Sequence, residues 1–250
     1  MPLTDAAQTD ARAARLELER LLAGRPFELP TGFADAAERY VALLLEANRR
    51  LNLTRVVEPA AVARLHLLDA LSALPLIDAL PDARRAVDLG SGGGVPGLVV
   101  ALARPDQRWL LVDSVRKKAD AVRGFAAALG IRNVEVVAER AEVLGRDPDH
   151  RETYRLVTAR ACAALPVLAE YAMPLLALGG TLLAWKGPLT DDELRAGRAA
   201  STMCGGGPPS VRASGFAELG EHRFVMITKE AATPERFPRR PGEPVRRPLG

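Results

Sequence analysis

The sequence predicts an α/β fold: a mostly parallel sheet with helices on both faces, preceded by a helical extension and followed by a basic tail. Three observations predict it. Helix-period patterns fill the first third of the chain; beyond Pro81 short apolar runs alternate with helical ones; and the first such run, "AVDLG", opens into a glycine turn that leads to a helix. At 250 residues, with 48% hydrophobic and 26% charged residues, the chain can bury a sizeable core.

The elements follow in order. Residues Asp10 to Leu22 repeat apolar positions at helical spacing and stop before Gly24, a C-terminal cap residue. A second helix runs from about Phe33 to Arg50, with Tyr40, Val41, Leu44 and Leu45 on one face. A third spans about Glu58 to Leu74 and opens with Pro59, where a missing N–H costs nothing. "RRAVDLG" is then a buried strand. The glycine turn follows, then a helix from Pro96 to about Ala103, a strand "RWLLVDS" and a helix from about Val115 to Leu129. "VEVVAER" and "YRLVTARA" are further strands, "LPVLAEYAMPLLALGG" a helix ending in glycines, and "GTLLAWKG" another strand. From Pro188 to Gly220 the pattern weakens around "CGGGPP", and "HRFVMITK" is a late strand. The simplest organisation is one domain over 1–250: a helical extension to about 80, a core over 81–232 and a Pro/Arg-rich tail over 233–250.

Composition narrows the setting. The beginning lacks a cationic start followed by an unbroken apolar block, so neither a signal nor a transit peptide is expected. No apolar run is expected to span a membrane, and a cytoplasmic location is the default. Cys162 and Cys204 belong to no C-x-x-C pair, which suits a reducing compartment and argues against a zinc site, so no metal is expected. Nothing in the sequence specifies an oligomer, and a monomer is the expectation. The formal net charge is +3, and the tail from Pro234 to Gly250 carries a surplus of the same size, so attraction to a polyanion is expected near that tail.

The glycine turn admits two frames. Gly92, Gly94 and Gly97 satisfy G-x-G-x-x-G, the dinucleotide pattern, which is weak in a segment so rich in glycine. Asp88, Gly90, Gly92 and Gly94 form D-x-G-x-G-x-G, with an acid at the strand's end expected to point at the ligand. A pyrophosphate is repelled there, whereas the cationic sulfonium and ammonium of S-adenosylmethionine are not. The glycines let backbone approach the ligand closely. Asp113 ends the second strand, where a carboxylate accepts from ribose hydroxyls or caps the next helix. Ala141 and Glu142 follow the third strand, where an adenine edge would lie.

With these residues assembled, the chain resembles the RsmG (GidB) family of small-subunit ribosomal RNA guanine-N7 methyltransferases. The likeness runs from "NRRLNLTRV" through "HLLDAL", "VDLGSGGGVPGL", "LLVDSVRKKADAV", "VVAERAEVL", "VTARACA" and "LLAWKG" to "FPRRPGEPVRRPL". It implies a class I S-adenosylmethionine-dependent methyltransferase fold, Rossmann-like, and transfer of a methyl group to N7 of a guanine in the 530 loop of 16S rRNA. It implies cofactor contacts at Gly90, Val95, Ala141, Glu142 and Arg160; Gly92 belongs to the same turn, and similarity to other methyltransferases adds Asp88 and Asp113. Two positions depart from the family: Val95 replaces a larger Phe or Leu, and Ala70 a customary serine.

N7 of guanine has an exposed lone pair and no proton to lose, so no general base is required, and no catalytic residue is certain. Arg160 and Lys186 are the candidates nearest the chemistry, Arg160 for a cofactor carboxylate or guanine O6. His66 and Asp69 share a helix face and are expected to seat the extension on the sheet; Trp185 is expected in the core. RNA contacts are expected among Arg55, Lys117, Lys118, Arg123, Lys186, Arg239, Arg240, Arg246 and Arg247. Two alternatives stand beside this: an NAD(P)-dependent oxidoreductase, from the glycine pattern, and a non-catalytic RNA-binding assembly factor for the small ribosomal subunit, from the arginine tail.

Overall fold

A computed structural model describes residues 3–25 and 27–250. Its centre is a seven-stranded sheet in the order β3-β2-β1-β4-β5-β7-β6. The strands are β1 (Arg85–Leu89), β2 (Arg108–Val112), β3 (Val134–Val137), β4 (Tyr154–Arg160), β5 (Leu176–Lys186), β6 (Ser210–Ala213) and β7 (Arg223–Thr228). β1 to β5 are parallel, and β7 runs antiparallel between β5 and β6. Consecutive strands build outward from β1 to β3, then the chain returns to place β4 on the other side of β1. That reversal opens a crevice at the carboxyl ends of β1 and β4, the place where open α/β sheets bind ligands.

The helices of the sheet region are α6 (Gly97–Ala103), α7 (Arg116–Leu129), α8 (Ala141–Leu144), α9 (Leu165–Ala172), α10 (Asp191–Met203) and α11 (Glu243–Arg246). β1, β2, β4 and β5 are apolar along most of their length because both faces are covered. One face packs on α6, α7 and the extension, and the other on α9 and α10.

The extension comprises α1 (Asp5–Leu22), α2 (Phe33–Leu51), α3 (Pro59–Val62), a π-helical turn over Ala63–Leu68, α4 (Asp69–Leu71) and α5 (Leu74–Asp78). α1 starts five residues before the expected position because the Thr4 side chain accepts from the Ala7 N–H and caps it. α2 ends where Asn52 turns left-handed (φ 48°). The stretch Pro59–Asp78 is long and apolar enough to cross a membrane by length and composition, with a mean hydropathy of 1.5 over an 18-residue window, but 67% of that window is buried inside the fold. Its apolar side chains, Val62, Leu67, Leu68 and Leu71 among them, supply the core instead.

Two further expectations are revised. The helix over "LPVLAEYAMPLLALGG" ends at Ala172, because Pro174 cannot continue the N–H ladder, and β5 begins at Leu176. Residues 191–203, which showed only a weak pattern, are helix α10, capped by Thr190 Oγ1 accepting from the Glu193 N–H at 3.1 Å.

The tail is folded. Phe237 is buried, the Arg151 guanidinium donates to the carbonyls of Thr233 and Phe237 at 2.8 and 3.0 Å, and Arg239 pairs with the fully buried Glu170. Lys229, also fully buried, donates to Met173 O at 2.5 Å and lies 3.1 Å from Glu152, closing the same region.

Candidate active site

The glycine turn begins where β1 ends. Gly90 and Ser91 donate to the carbonyl of Val112 on the neighbouring strand at 2.9 and 3.0 Å, so the chain bends across the top of β2 before entering α6. Gly90, Gly92 and Gly94 have φ of 70°, 56° and 98°, a region glycine enters freely and other residues at a cost. A Cβ on Gly90 would stand 2.7 Å from Cys162 Cβ, and one on Gly97 the same distance from Asp88 Cβ while also striking Leu111.

Above the turn lies a cavity of about 360 Å³, the size of a small-ligand site. Gly90, Gly92, Val95, Asp113, Lys118 and Arg160 border it, together with Leu44, Leu53 and His66 from the extension. The extension therefore forms part of the wall. The Tyr40 hydroxyl donates to Gly93 O at 2.8 Å, which ties α2 to the turn.

Asp88 is the main correction. It does not face the cavity: it is fully buried beneath the turn, where Oδ2 accepts from the Gly97 N–H at 3.2 Å and Oδ1 from the Thr158 hydroxyl at 2.7 Å. Burial raises its carboxyl to about 6, against the opposing pull of those bonds and of Arg160. The consequence for ligand choice survives by another route. The first N–H of α6, which would otherwise greet a pyrophosphate, is already taken by the protein's own carboxylate, and this disfavours the dinucleotide alternative.

Asp113 lies on the cavity wall with Oδ2 accepting from the Gly92 N–H at 2.9 Å and Oδ1 from the Val115 N–H at 2.8 Å. It thus braces the turn and caps the approach to α7 at once. Ala141 and Glu142 lie outside this cavity. The Glu142 carboxylate is buried and turned toward the tail, accepting from the Gly242 N–H at 2.8 Å and the Tyr171 hydroxyl at 3.3 Å.

Arg160 sits at the carboxyl end of β4, before Ala161, which is left-handed (φ 51°). That backbone costs on the order of 1 kcal/mol and swings the chain past the cavity. The guanidinium donates to Leu65 O at 2.6 Å and Asp69 Oδ2 at 2.9 Å, and approaches His66 Nδ1 at 3.2 Å. Asp69 Oδ1 is met by His222 Nδ1 at 2.9 Å, and its backbone carbonyl by Trp185 Nε1 at 2.8 Å. Burial and the adjacent arginine lower His66 to about 4, so it is neutral near pH 7. The expected seating of the extension through His66 and Asp69 is present, with Arg160 and His222 as partners that sequence separation concealed. Trp185 is buried against Phe224, as expected.

Other expected contacts divide by whether their charge is used. Lys186 Nζ is 2.6 Å from Glu193 and donates to Ala163 O, and Arg239 is held by Glu170; neither guanidinium nor ammonium is free for RNA as expected. Arg123 pairs with Asp120 and donates to Val136 O at 2.9 Å. Arg55, Lys117, Arg240, Arg246 and Arg247 are exposed.

The profile described as "GidB: rRNA small subunit methyltransferase G" matches residues 34–219. The chain belongs to the rRNA small subunit methyltransferase G family. A family member from Deinococcus deserti is 44% identical over 235 residues, covering 92% of this chain and 96% of its own. Another from Pelotomaculum thermopropionicum is 41% identical over 213 residues, covering 85% and 89%. Both are named ribosomal RNA small subunit methyltransferase G. The fold is also that of more distant methyltransferases. The CurJ carbon methyltransferase superposes with a TM-score of 0.52 at 18% identity, covering 90% of this chain and 69% of its own. A putative O-methyltransferase from Klebsiella pneumoniae gives 0.52 at 15%, covering 90% and 100%. Membership in the methyltransferase G family thus agrees with the class I, Rossmann-like architecture expected from the strand and helix alternation.

Proposed function

We propose that this enzyme transfers the methyl group of S-adenosylmethionine to N7 of a guanine in the 530 loop of 16S rRNA, within the small ribosomal subunit. The observation that carries it is the glycine cradle whose helix N-terminus is sealed by Asp88, in a chain of the methyltransferase G family. A cavity walled by bare backbone at Gly90 and Gly92 fits a nucleoside with a short amino-acid arm, and the sealed helix end leaves no place for a bridging diphosphate.

Bound S-adenosylmethionine supplies an electrophilic methyl carbon on a positively charged sulfur. The chain's residues divide the remaining work. Gly90 and Gly92 admit the ligand's backbone-like portion, and Asp113 offers its carboxylate to ribose hydroxyls. Val95, smaller than the usual residue, closes one wall. Ala141 and Glu142, which follow β3 outside the cavity, would meet the adenine end where it extends past Asp113. Arg160, already fixed by Leu65 O and Asp69, presents the rest of its fork to a carboxylate or to guanine O6. Transfer to N7 would break the carbon–sulfur bond and move the positive charge from the sulfur to the guanine, so these residues have only to align the two reactants and exclude water. No proton has to move, which accords with a neutral His66; its Nε2 is engaged with the Thr54 hydroxyl at 2.8 Å, a contact within the extension.

Small subunits lacking the modification, incubated with the purified protein and methyl-labelled S-adenosylmethionine, test this directly. Label at one guanine N7 in the 530 loop is expected. Absence of label in the RNA, or NADH binding without S-adenosylmethionine binding in calorimetry, overturns it.

A further inference from the structure

A second concavity lies at the opposite end of the strands from the glycine turn. The amino ends of β1, β2 and β3, with the loops that feed them, form an open groove of about 1130 Å³. Arg84, Arg85, Arg108 and Arg132 line it against two acids, Asp106 and Glu135. Strand register creates the cluster: Arg85 opens β1 directly beside Arg108, which opens β2, and Arg132 lies two residues before β3. Adjacent strands are about 4.8 Å apart, so three arginine backbones start side by side.

The arginines are also largely uncommitted. Arg108 and Arg132 are exposed, and their side chains have no hydrogen bond or ion pair among the described residues. Arg84 stands 3.5 Å from Asp82, in a pair whose side chains are 81% and 42% exposed, and such a pair is worth little. Arg85 lies 5.0 Å above the Tyr154 ring and donates to Asp149 O at 3.3 Å, while His150 stacks on the same ring and shares a 2.6 Å hydrogen bond with its hydroxyl. Its guanidinium is therefore held at the groove wall by an aromatic ring and a carbonyl, with no acid as partner. Trp109, in the same wall, has an indole N–H with no protein partner. Several arginines elsewhere are held by acids: Arg25 by Glu218, Arg104 by Asp78, Arg160 by Asp69 and Arg239 by Glu170.

Planar, unpaired guanidinium groups spread along a wide open groove suit a string of phosphates better than one enclosed ligand. We propose that this groove is a second RNA contact surface, which holds the backbone of a segment remote from the guanine being methylated. It rests on the function proposed above, since it takes RNA as the substrate. The sheet separates the two surfaces by a strand of five residues, about 17 Å, so a substrate reaching both must be a folded RNA or subunit surface and not a short strand. The groove then contributes affinity and register, and the cavity the chemistry.

The test compares Arg108→Glu/Arg132→Glu with a control of equal charge change, Arg12→Glu/Arg198→Glu, whose exposed arginines lie on α1 and α10. Each is assayed for binding to a 16S rRNA fragment containing the 530 loop between about 50 and 200 mM salt, for methyl transfer to small subunits, and for S-adenosylmethionine binding. The groove pair is expected to weaken RNA binding at least tenfold and to flatten the slope of log affinity against log salt by about 2 relative to the control pair. KM for subunits should rise with kcat and S-adenosylmethionine affinity unchanged. Equal slopes and KM values for the two pairs overturn the proposal. So does parent-like RNA binding by the groove pair combined with loss of adenosine triphosphate binding, which assigns the groove to a mononucleotide. If the parent binds RNA through the groove but labels no guanine, the methyl-transfer function fails while the groove stands; if the parent binds no RNA, both fail.

Discussion

Two segments of this chain advertise a ligand in their composition, the glycine turn after β1 and the arginine tail after Thr233, and the structure treats them in opposite ways. The turn keeps its bare backbone open beside a cavity. The tail folds down, buries Phe237 and sets Arg239 on Glu170 through backbone and guanidinium bonds between 2.5 and 3.1 Å. A glycine's contribution is conformational and local, so its neighbours in sequence disclose it. A charge acts through whichever partner the fold brings near, and Glu170 is 69 residues away. A further group of exposed arginines, Arg84, Arg108 and Arg132, gathers at the amino ends of the strands, where no local motif marks it.

The comparison can be broken most severely at the turn. Gly90→Val places a branched side chain at φ 70° and against Cys162, and S-adenosylmethionine binding should become undetectable by calorimetry. Parent-like affinity in that variant would mean the turn is not the cradle. At the tail, Glu170→Ala leaves Arg239 without its buried partner and should cost about 3 kcal/mol in urea unfolding, with RNA affinity of the folded protein unchanged. If Glu170→Ala is neutral in stability, the tail is not the structural strap described here.

A smaller, signed effect separates the two buried groups that flank Arg160. Asp88 is raised to about 6, so its favourable contribution is present below its unfolded value near 4 and is lost as pH climbs through 6. His66 is lowered to about 4, so its contribution is present above its unfolded value near 6.5 and is lost as pH falls through 4. Relative to Asp88→Asn, the parent should lose on the order of 2–3 kcal/mol between pH 4 and 6; relative to His66→Gln, it should gain a similar amount between pH 4 and 6.5. Parallel stability curves for parent and variants would remove both assignments. The smallest effect is expected at the exposed tail: Arg240→Ala/Arg247→Ala should change stability by no more than about 0.5 kcal/mol, as measured beside Glu170→Ala.

Much of the fold was legible because its signals are short-range. Apolar runs gave the strands of the parallel sheet, Pro59 and Gly130 mark helix ends, and the positive-φ glycines mark the turn. Helix α10 was missed although Thr190 and Glu193 carry the capping-box spacing, because its alanine-rich body has little apolar contrast. At the site, Gly90, Gly92, Val95, Asp113 and Arg160 do border one cavity. The direction of Asp88 was misjudged because β1 fixes the position of its Cα, whereas the acceptors' partners, Gly97 N–H and Thr158, come from a helix start and a second strand.

The sequence by itself determined the alternation of strand and helix, the glycine turn and the resemblance to a methyltransferase family, since backbone periodicity and turn chemistry depend on residues close in the chain. Only the tertiary structure decided which charges are spent and which are free. Asp69 meets Arg160 and His222 across 91 and 153 residues, Glu142 meets Gly242 across 100, and Arg85 lies beside Arg108 through strand pairing. Electrostatic partnership depends on distance in space and on burial, and neither is written in the order of residues.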